Sequence, residues 1–207
     1  MERLRVIARR LVSPHSALYA TAAHVYNDLE ITRREGLSTT RTIRRLARAR
    51  GGQPHALRLK NLRHPILVRP GTDDVPTIIN NVVREEYAYG LPDWQPRVMI
   101  DAGAFIGDTS AYFLSRYPTL TAIAIEPEAD NLALAARNLA AYGDRARLLR
   151  GALAGRDGSV RARFPKADNP DLTWPARAEE RVLRTPLKPI RRLGIRLRTH
   201  LPGTPSP

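Results

Sequence analysis

Two periods alternate along the chain. From residue 14 to residue 35, Leu18, Ala22, Val25 and Leu29 recur at three- and four-residue spacing, which predicts a helix that buries those four and stops at Gly36. Upstream, Leu4, Ile7 and Leu11 share one helical face of residues 2–11, either docked on the domain or lying on a membrane surface. Ser38 offers a cap for a helix over residues 39–50, so dense in arginine that a solvated face is expected. Gly51-Gly52-Gln53-Pro54 breaks the run and sets a boundary. The period then drops to two. Residues 56–60 alternate, and residues 66–69 read as their hairpin partner. After Pro70-Gly71, Asp73 or Asp74 caps a helix with Pro76 in its first turn and Ile78, Ile79, Val82, Val83 and Tyr87 inward; Tyr87 and Glu86 face either the core or a pocket.

The second half repeats a simpler unit. Val98 to Ile100 reads as a strand buried on both faces, followed by a glycine-punctuated turn and a helix over residues 108–117 capped by Asp108 or Thr109. Residues 121–125 form the next strand. Pro127 suits the first turn of a helix burying Leu132, Ala135, Ala136 and Leu139 and ending at Gly143. Residues 147–149 are the third strand, a turn follows at 151–153, and residues 159–164 make one more strand. Strand–helix–strand–helix–strand with short connections gives an α/β fold, a doubly wound parallel sheet of Rossmann-like type whose ligands bind at the carboxyl ends of the strands. Asp101, the following turn and Glu126 all fall there. The expected organisation is a basic helical extension over 1–54, a sheet domain over 55–164, and a Pro/Arg-rich, poorly ordered tail over 165–207, in which residues 201–207 cannot be a core element.

The turn narrows the chemistry. Its glycines, Gly103 and Gly107, stand four apart with Ala104 and Phe105 between, so it lacks the middle glycine of a dinucleotide fingerprint, and no lysine follows as in a P-loop. That disfavours a dinucleotide-dependent oxidoreductase. A cofactor with a charged amino-acid end and no phosphates fits better. Glu126, at the tip of the next strand, is placed to accept both ribose hydroxyl hydrogens.

Four segments carry a resemblance: residues 65–74 (Pro-Ile-Leu-Val-Arg-Pro-Gly-Thr-Asp-Asp), Glu85-Glu86-Tyr87, residues 100–109 (Ile-Asp-Ala-Gly-Ala-Phe-Ile-Gly-Asp-Thr) and Ala124-Ile125-Glu126-Pro127. Together they resemble the FkbM family of S-adenosylmethionine-dependent O-methyltransferases, over roughly residues 64–158. The resemblance implies the class I methyltransferase form of the Rossmann-like sheet and S-adenosylmethionine as cofactor, with methyl transfer to a hydroxyl of a sugar or small molecule. It implies a loop of Asp101, Gly103, Ala104, Phe105, Gly107, Asp108 and Thr109 around the cofactor's amino-acid end. Glu126 would hold the ribose with Asn131 nearby, and Ala152 would border the adenine. The family pattern also implies a later strand ending in a Lys-x-Asp-x-Glu-Gly-type motif, which this sequence lacks. The sheet is therefore expected to be incomplete on its C-terminal side. The alternative reading is a non-catalytic, truncated methyltransferase-like protein that binds cofactor or a partner without turnover.

Composition changes the picture at three points. There are no cysteines, hence no disulfides and no thiolate metal sites, and the five histidines have no metal-ligand spacing. No segment has the length and apolarity of a membrane span, and residues 1–16 are too broken by Ser13, Pro14 and Ser16 for a secretory leader, so a cytoplasmic location is expected. The net charge of +14 is uneven: residues 1–70 hold 15 Lys and Arg against 4 Asp and Glu, residues 71–164 hold 10 against 12, and the remainder 9 against 4. The near-neutral middle part sits between basic flanks. Without a recognised module or an aromatic–basic platform, the charge does not point to nucleic acid, and weak membrane-surface contact through the basic N-terminus is the partner reading it leaves beside the hydroxyl acceptor. No general base is identified.

Overall fold

The computed structural model describes residues 17–88, 95–154, 158–160 and 185–189. The expected helix at residues 2–11 and most of the 165–207 tail lie outside the described residues. Contacts divide the chain into two units: the described part of residues 1–96 with Ala111–Thr119, and the described part of Arg97–Ser110 with Leu120–Pro207. Residues 55–96, read from sequence with the sheet, thus share a unit with the N-terminal helices.

In the first unit α1 (Ala17–Glu35) and α2 (Leu37–Arg48) are antiparallel, reversing at Gly36. Their register is fixed by polar side chains. The Thr32 and Thr40 hydroxyls meet at 2.9 Å, and Arg44 pairs with Asp28. This corrects the expected α1 stripe: Val25 and Leu29 are 50% and 65% exposed and Ala22 is exposed, whereas Ile31 and Glu35 face inward. Leu18 is outside the residues whose side chains are described. The face was chosen by Asn27, Asp28, Glu30 and Thr32, all of which find partners, and not by the count of apolar residues. On α2 the arginines do face solvent, but Thr40, Ile43 and Leu46 are buried beneath them.

Strands β1 (His55–Leu57) and β2 (Ile66–Val68) form the expected antiparallel hairpin, with Leu57 opposite Ile66 and both buried. The hairpin is tied to the helices by Glu35, whose carboxylate accepts from the Lys60 N–H at 3.0 Å, and by the Gly71 N–H, which donates to the Leu46 carbonyl at 2.8 Å. Helix α3 (Asp74–Ile78) is short and widens into a π-helical turn over Ile79–Val83. Asp73 occupies the cap position without a side-chain cap bond. Asp74 is fully buried and accepts from the Arg69 backbone N–H (2.8 Å), Nε (2.9 Å) and Nη2 (2.7 Å). The wide turn advances the chain by an extra residue, and Glu85 then takes a left-handed φ of 59°. Tyr87 is carried off the buried face and is 57% exposed, which excludes the core-facing alternative.

In the second unit β3 (Val98–Ala102), β4 (Thr121–Glu126) and β5 (Ala146–Arg150) form a parallel sheet in the order β3-β4-β5. The expected strand–helix alternation is present along the chain, with α4 (Asp108–Arg116) after β3, its residues from Ala111 on counted in the first unit, and α5 (Ala129–Leu139) after β4. The chain is mixed α/β with a three-stranded parallel sheet. Val98 is 56% exposed, not buried on both faces, because β3 pairs with β4 alone and lies at the sheet edge among the described strands. On α5 the buried residues are Leu134, Ala135, Asn138 and Leu139; Leu132 and Ala136 are not among them. A bond from the Asn138 amide to the Ile106 carbonyl at 2.8 Å turns the helix toward that side.

A second small sheet corrects two further expectations. Ala152 does not lie in a turn but opens β6 (Ala152–Ala154). Residues Thr185–Pro189, inside the tail expected to be poorly ordered, form β8, which runs parallel to β6 and antiparallel to β7 (Gly158–Val160). Its Pro-Leu-Lys-Pro sequence lacks the alternation that signals a strand, and its partners lie about 30 residues away.

Candidate functional site at the tips of two parallel strands

The parallel register pairs Asp101 with Ala124 and Ala102 with Ile125, so the turn leaving β3 rises beside the end of β4. Two consecutive amides of that turn, Gly103 and Ala104, donate to the single carbonyl of Ile125, at 2.8 and 3.0 Å. The next amide, Phe105, donates to Glu126 Oε2 at 2.9 Å. Three successive N–H groups of the loop are thereby fixed by the last two residues of β4. Phe105 reaches this geometry with φ at 49°, a costly conformation for a residue with a side chain, held by the bonds around it.

Gly107 closes the turn. Its φ is +79°, its N–H donates to the Ala104 carbonyl at 2.7 Å, and a Cβ there would stand 3.1 Å from the Leu139 side chain. Helix α4 begins at Asp108 itself, so the cap position falls to Gly107 and not to the expected Asp108 or Thr109. Asp108 is buried in the first turn. At Gly103, by contrast, nothing lies within 4 Å of where a Cβ would be, and the residue is exposed. The loop is packed on its Gly107 side and open on its Gly103 side.

Glu126 is 5% exposed and anchors both directions of chain. Besides Phe105, its Oε1 accepts from the Glu128 N–H at 3.0 Å and lies 3.5 Å from the Asn131 amide nitrogen. Its carbonyl accepts from the Gly151 N–H at 3.3 Å, so the residue also ties down the exit of β5. Glu128 caps α5, accepting from the Asn131 N–H at 2.7 Å. A carboxylate has about four lone-pair positions, and these three contacts leave acceptor capacity. Asp101 accepts from the Ser110 hydroxyl at 2.7 Å; burial pushes its carboxyl pKa up, and the Ser110 bond opposes that only in part.

The structure therefore gathers Asp101, Gly103, Ala104, Phe105, Gly107 and Asp108 with Glu126 and Asn131 around one strand-end turn. Thr109 sits in the first turn of α4, half-buried, and Ala152 follows Gly151 in β6. Sequence reading missed Ser110, Glu128 and Asn138. Asn138 had a signal: an amide among the leucines and alanines of α5 must find a partner when buried. No group of three or more His, Asp or Glu able to hold a metal occurs among the described residues.

The turn thus combines open backbone at Gly103 with a carboxylate at Glu126 that keeps acceptor capacity, at the ends of two adjacent parallel strands. No family model matches the chain, and no curated protein sequence matches it either.

Proposed function

We propose that the chain is an S-adenosylmethionine-dependent O-methyltransferase of the FkbM type, acting on a hydroxyl of a sugar or small molecule. The reading also takes the three-stranded parallel sheet as part of a class I methyltransferase sheet. What supports it most is one juxtaposition: Glu126 ends the strand beside the turn 101–108 and binds that turn's backbone through the Phe105 N–H. In this reading Glu126 accepts from the ribose hydroxyls while Asn131 borders them. The turn from Asp101 to Thr109 surrounds the amino-acid end, with Gly103 leaving its backbone bare for approach. Ala152 borders the adenine. When bound, S-adenosylmethionine supplies the electrophilic methyl group; the chain's own contribution is alignment, since the Gly103, Ala104, Phe105 and Gly107 amides are already fixed by hydrogen bonds within the chain.

The test is thermal denaturation with S-adenosylhomocysteine, S-adenosylmethionine and NAD in parallel. The expected result is a rise in melting temperature with the first two and none with NAD. Glu126→Gln keeps one acceptor for the Phe105 N–H but loses a charged acceptor, and weakens S-adenosylhomocysteine binding about ten-fold or more. A folded wild type that shifts with NAD alone, or with none of the three, rules the reading out.

A second reading, a methyltransferase-like protein that binds cofactor or a partner without turnover, is favoured by the sheet itself. Among the described residues β3 has a partner on one edge only. Cofactor binding without methyl transfer to a panel of hydroxyl acceptors distinguishes this reading from the first.

A further inference from the structure

The outer face of the α1–α2 hairpin takes no part in the site above. On α1, Val25, Leu29 and Arg33 follow one another at four-residue spacing, and on α2 Leu37, Arg41, Arg45 and Arg48 do so at four, four and three. The hairpin's own contacts settle where these stripes point. Ile31 of α1 and Thr40, Ile43 and Leu46 of α2 are buried, and Thr32–Thr40 and Asp28–Arg44 join the two helices. In an antiparallel pair both stripes then lie on the side away from the core. Val25, Leu29 and Leu37 are 50%, 65% and 53% exposed, large values for apolar side chains, and the four arginines are exposed.

The charge on this face is uncompensated. Arg33, Arg41, Arg45 and Arg48 have no ion-pair partner among the described residues. The acids of α1 are already engaged: Asp28 by Arg44, Glu30 by Arg84 and Arg34, and Glu35 by the Lys60 backbone. A polyanion is therefore the complementary partner. Which polyanion is decided by the apolar residues between the arginines. Single-stranded nucleic acid takes aromatic rings for stacking, and none is exposed in either stripe; aliphatic side chains amid arginines gain where they leave water, which the acyl boundary of an anionic lipid surface offers directly beneath its phosphates.

We infer that the α1–α2 hairpin is a membrane-contact face, on which Val25, Leu29 and Leu37 enter the acyl boundary of an anionic lipid surface while Arg33, Arg41, Arg45 and Arg48 meet its phosphates. It is separate from residues 2–11 and independent of the methyltransferase reading. The energetics are those of a reversible peripheral contact: each basic residue near an anionic surface strengthens partitioning about five-fold, less as salt rises.

Co-sedimentation of the full chain with phosphatidylcholine vesicles, with and without phosphatidylglycerol, tests this. The chain is expected to bind the anionic vesicles only, and more weakly at high salt. The triple change Arg41→Glu, Arg45→Glu, Arg48→Glu loses about 100-fold or more. Val25→Ser with Leu29→Ser, also at exposed positions, weakens binding several-fold while the salt dependence stays. Circular dichroism of both variants establishes that they fold. Equal binding to neutral and anionic vesicles, no binding, or full binding by the triple variant overturns the inference. So does tight binding of an oligonucleotide that is indifferent to the Val25 and Leu29 changes.

Discussion

The acids of the two units are used in opposite ways. In the helical unit arginine holds Asp74 (Arg69), Glu30 (Arg84 at 2.9 Å) and Glu85 (Arg34 and Arg116 at 3.8 and 3.7 Å, with the Tyr112 hydroxyl donating to it at 2.7 Å), while Glu35 accepts from the Lys60 N–H instead. Arg84 also donates to Asn80 and Asn27, closing a network across α1 and the π-helical turn. In the sheet unit Glu126 and Glu128 bind backbone N–H groups, and Asp101 a serine hydroxyl. A carboxylate forked by a guanidinium is committed to the fold, whereas one that accepts from backbone amides shapes the chain and still has lone pairs for a ligand. The same residue type braces guanidinium groups in one unit and orders backbone amides in the other.

The largest expected effect is at Asp74. Asp74→Ala removes the acceptor of three Arg69 donors from a fully buried position and is expected to destabilise the helical unit by about 3 kcal/mol, read as a lower urea midpoint. A change below about 1 kcal/mol breaks the contrast drawn above. The two loop glycines sharpen the other side of it. Gly107→Ala drives a Cβ against Leu139 in addition to straining the backbone, and is expected to cost about 3 kcal/mol in thermal unfolding. Gly103→Ala meets open space and costs about 1 kcal/mol from the left-handed backbone alone. Equal costs at both positions remove the argument that one side of the loop is open.

The smallest effect concerns Asp73, beside the committed Asp74. Burial, and then the charge of Asp74, push its carboxyl up to about 6 from an ordinary 3.8. Between those values the unfolded chain ionises this group before the folded one does. Its contribution to stability is therefore whole below about pH 3.8 and lost as pH rises through 6. Asp73→Asn is expected to raise the melting temperature slightly at pH 7 and to flatten its fall between pH 4 and 6.

Legibility from sequence follows the range of the interactions. The turn from Asp101 to Asp108 and its neighbour Glu126 were readable because a short strand, two glycines and a second strand constrain one another within 26 residues. The hairpin 55–68 was readable for the same reason. The inward face of α1 was not, since Asn27, Asp28, Glu30 and Thr32 choose it through partners at positions 40, 44 and 84. The exposure of Tyr87 was not legible because nothing local announces a π-helical turn. Strand β8 was misread because two prolines hide a strand whose partners are distant. At Ser110 nothing local announces that its hydroxyl donates to Asp101, nine residues back.

Gly71 carries a consequence of its own. A Cβ at this residue would fall 2.1 Å from the Ala49 carbonyl oxygen, and its N–H closes on Leu46. The end of α2 and the turn after β2 are thus in backbone-to-backbone contact, at a distance no side chain tolerates. Helical pair and hairpin are accordingly expected to melt in a single transition. A cut at Gly51-Gly52 would yield two fragments that each lose structure, and not a trimmed domain.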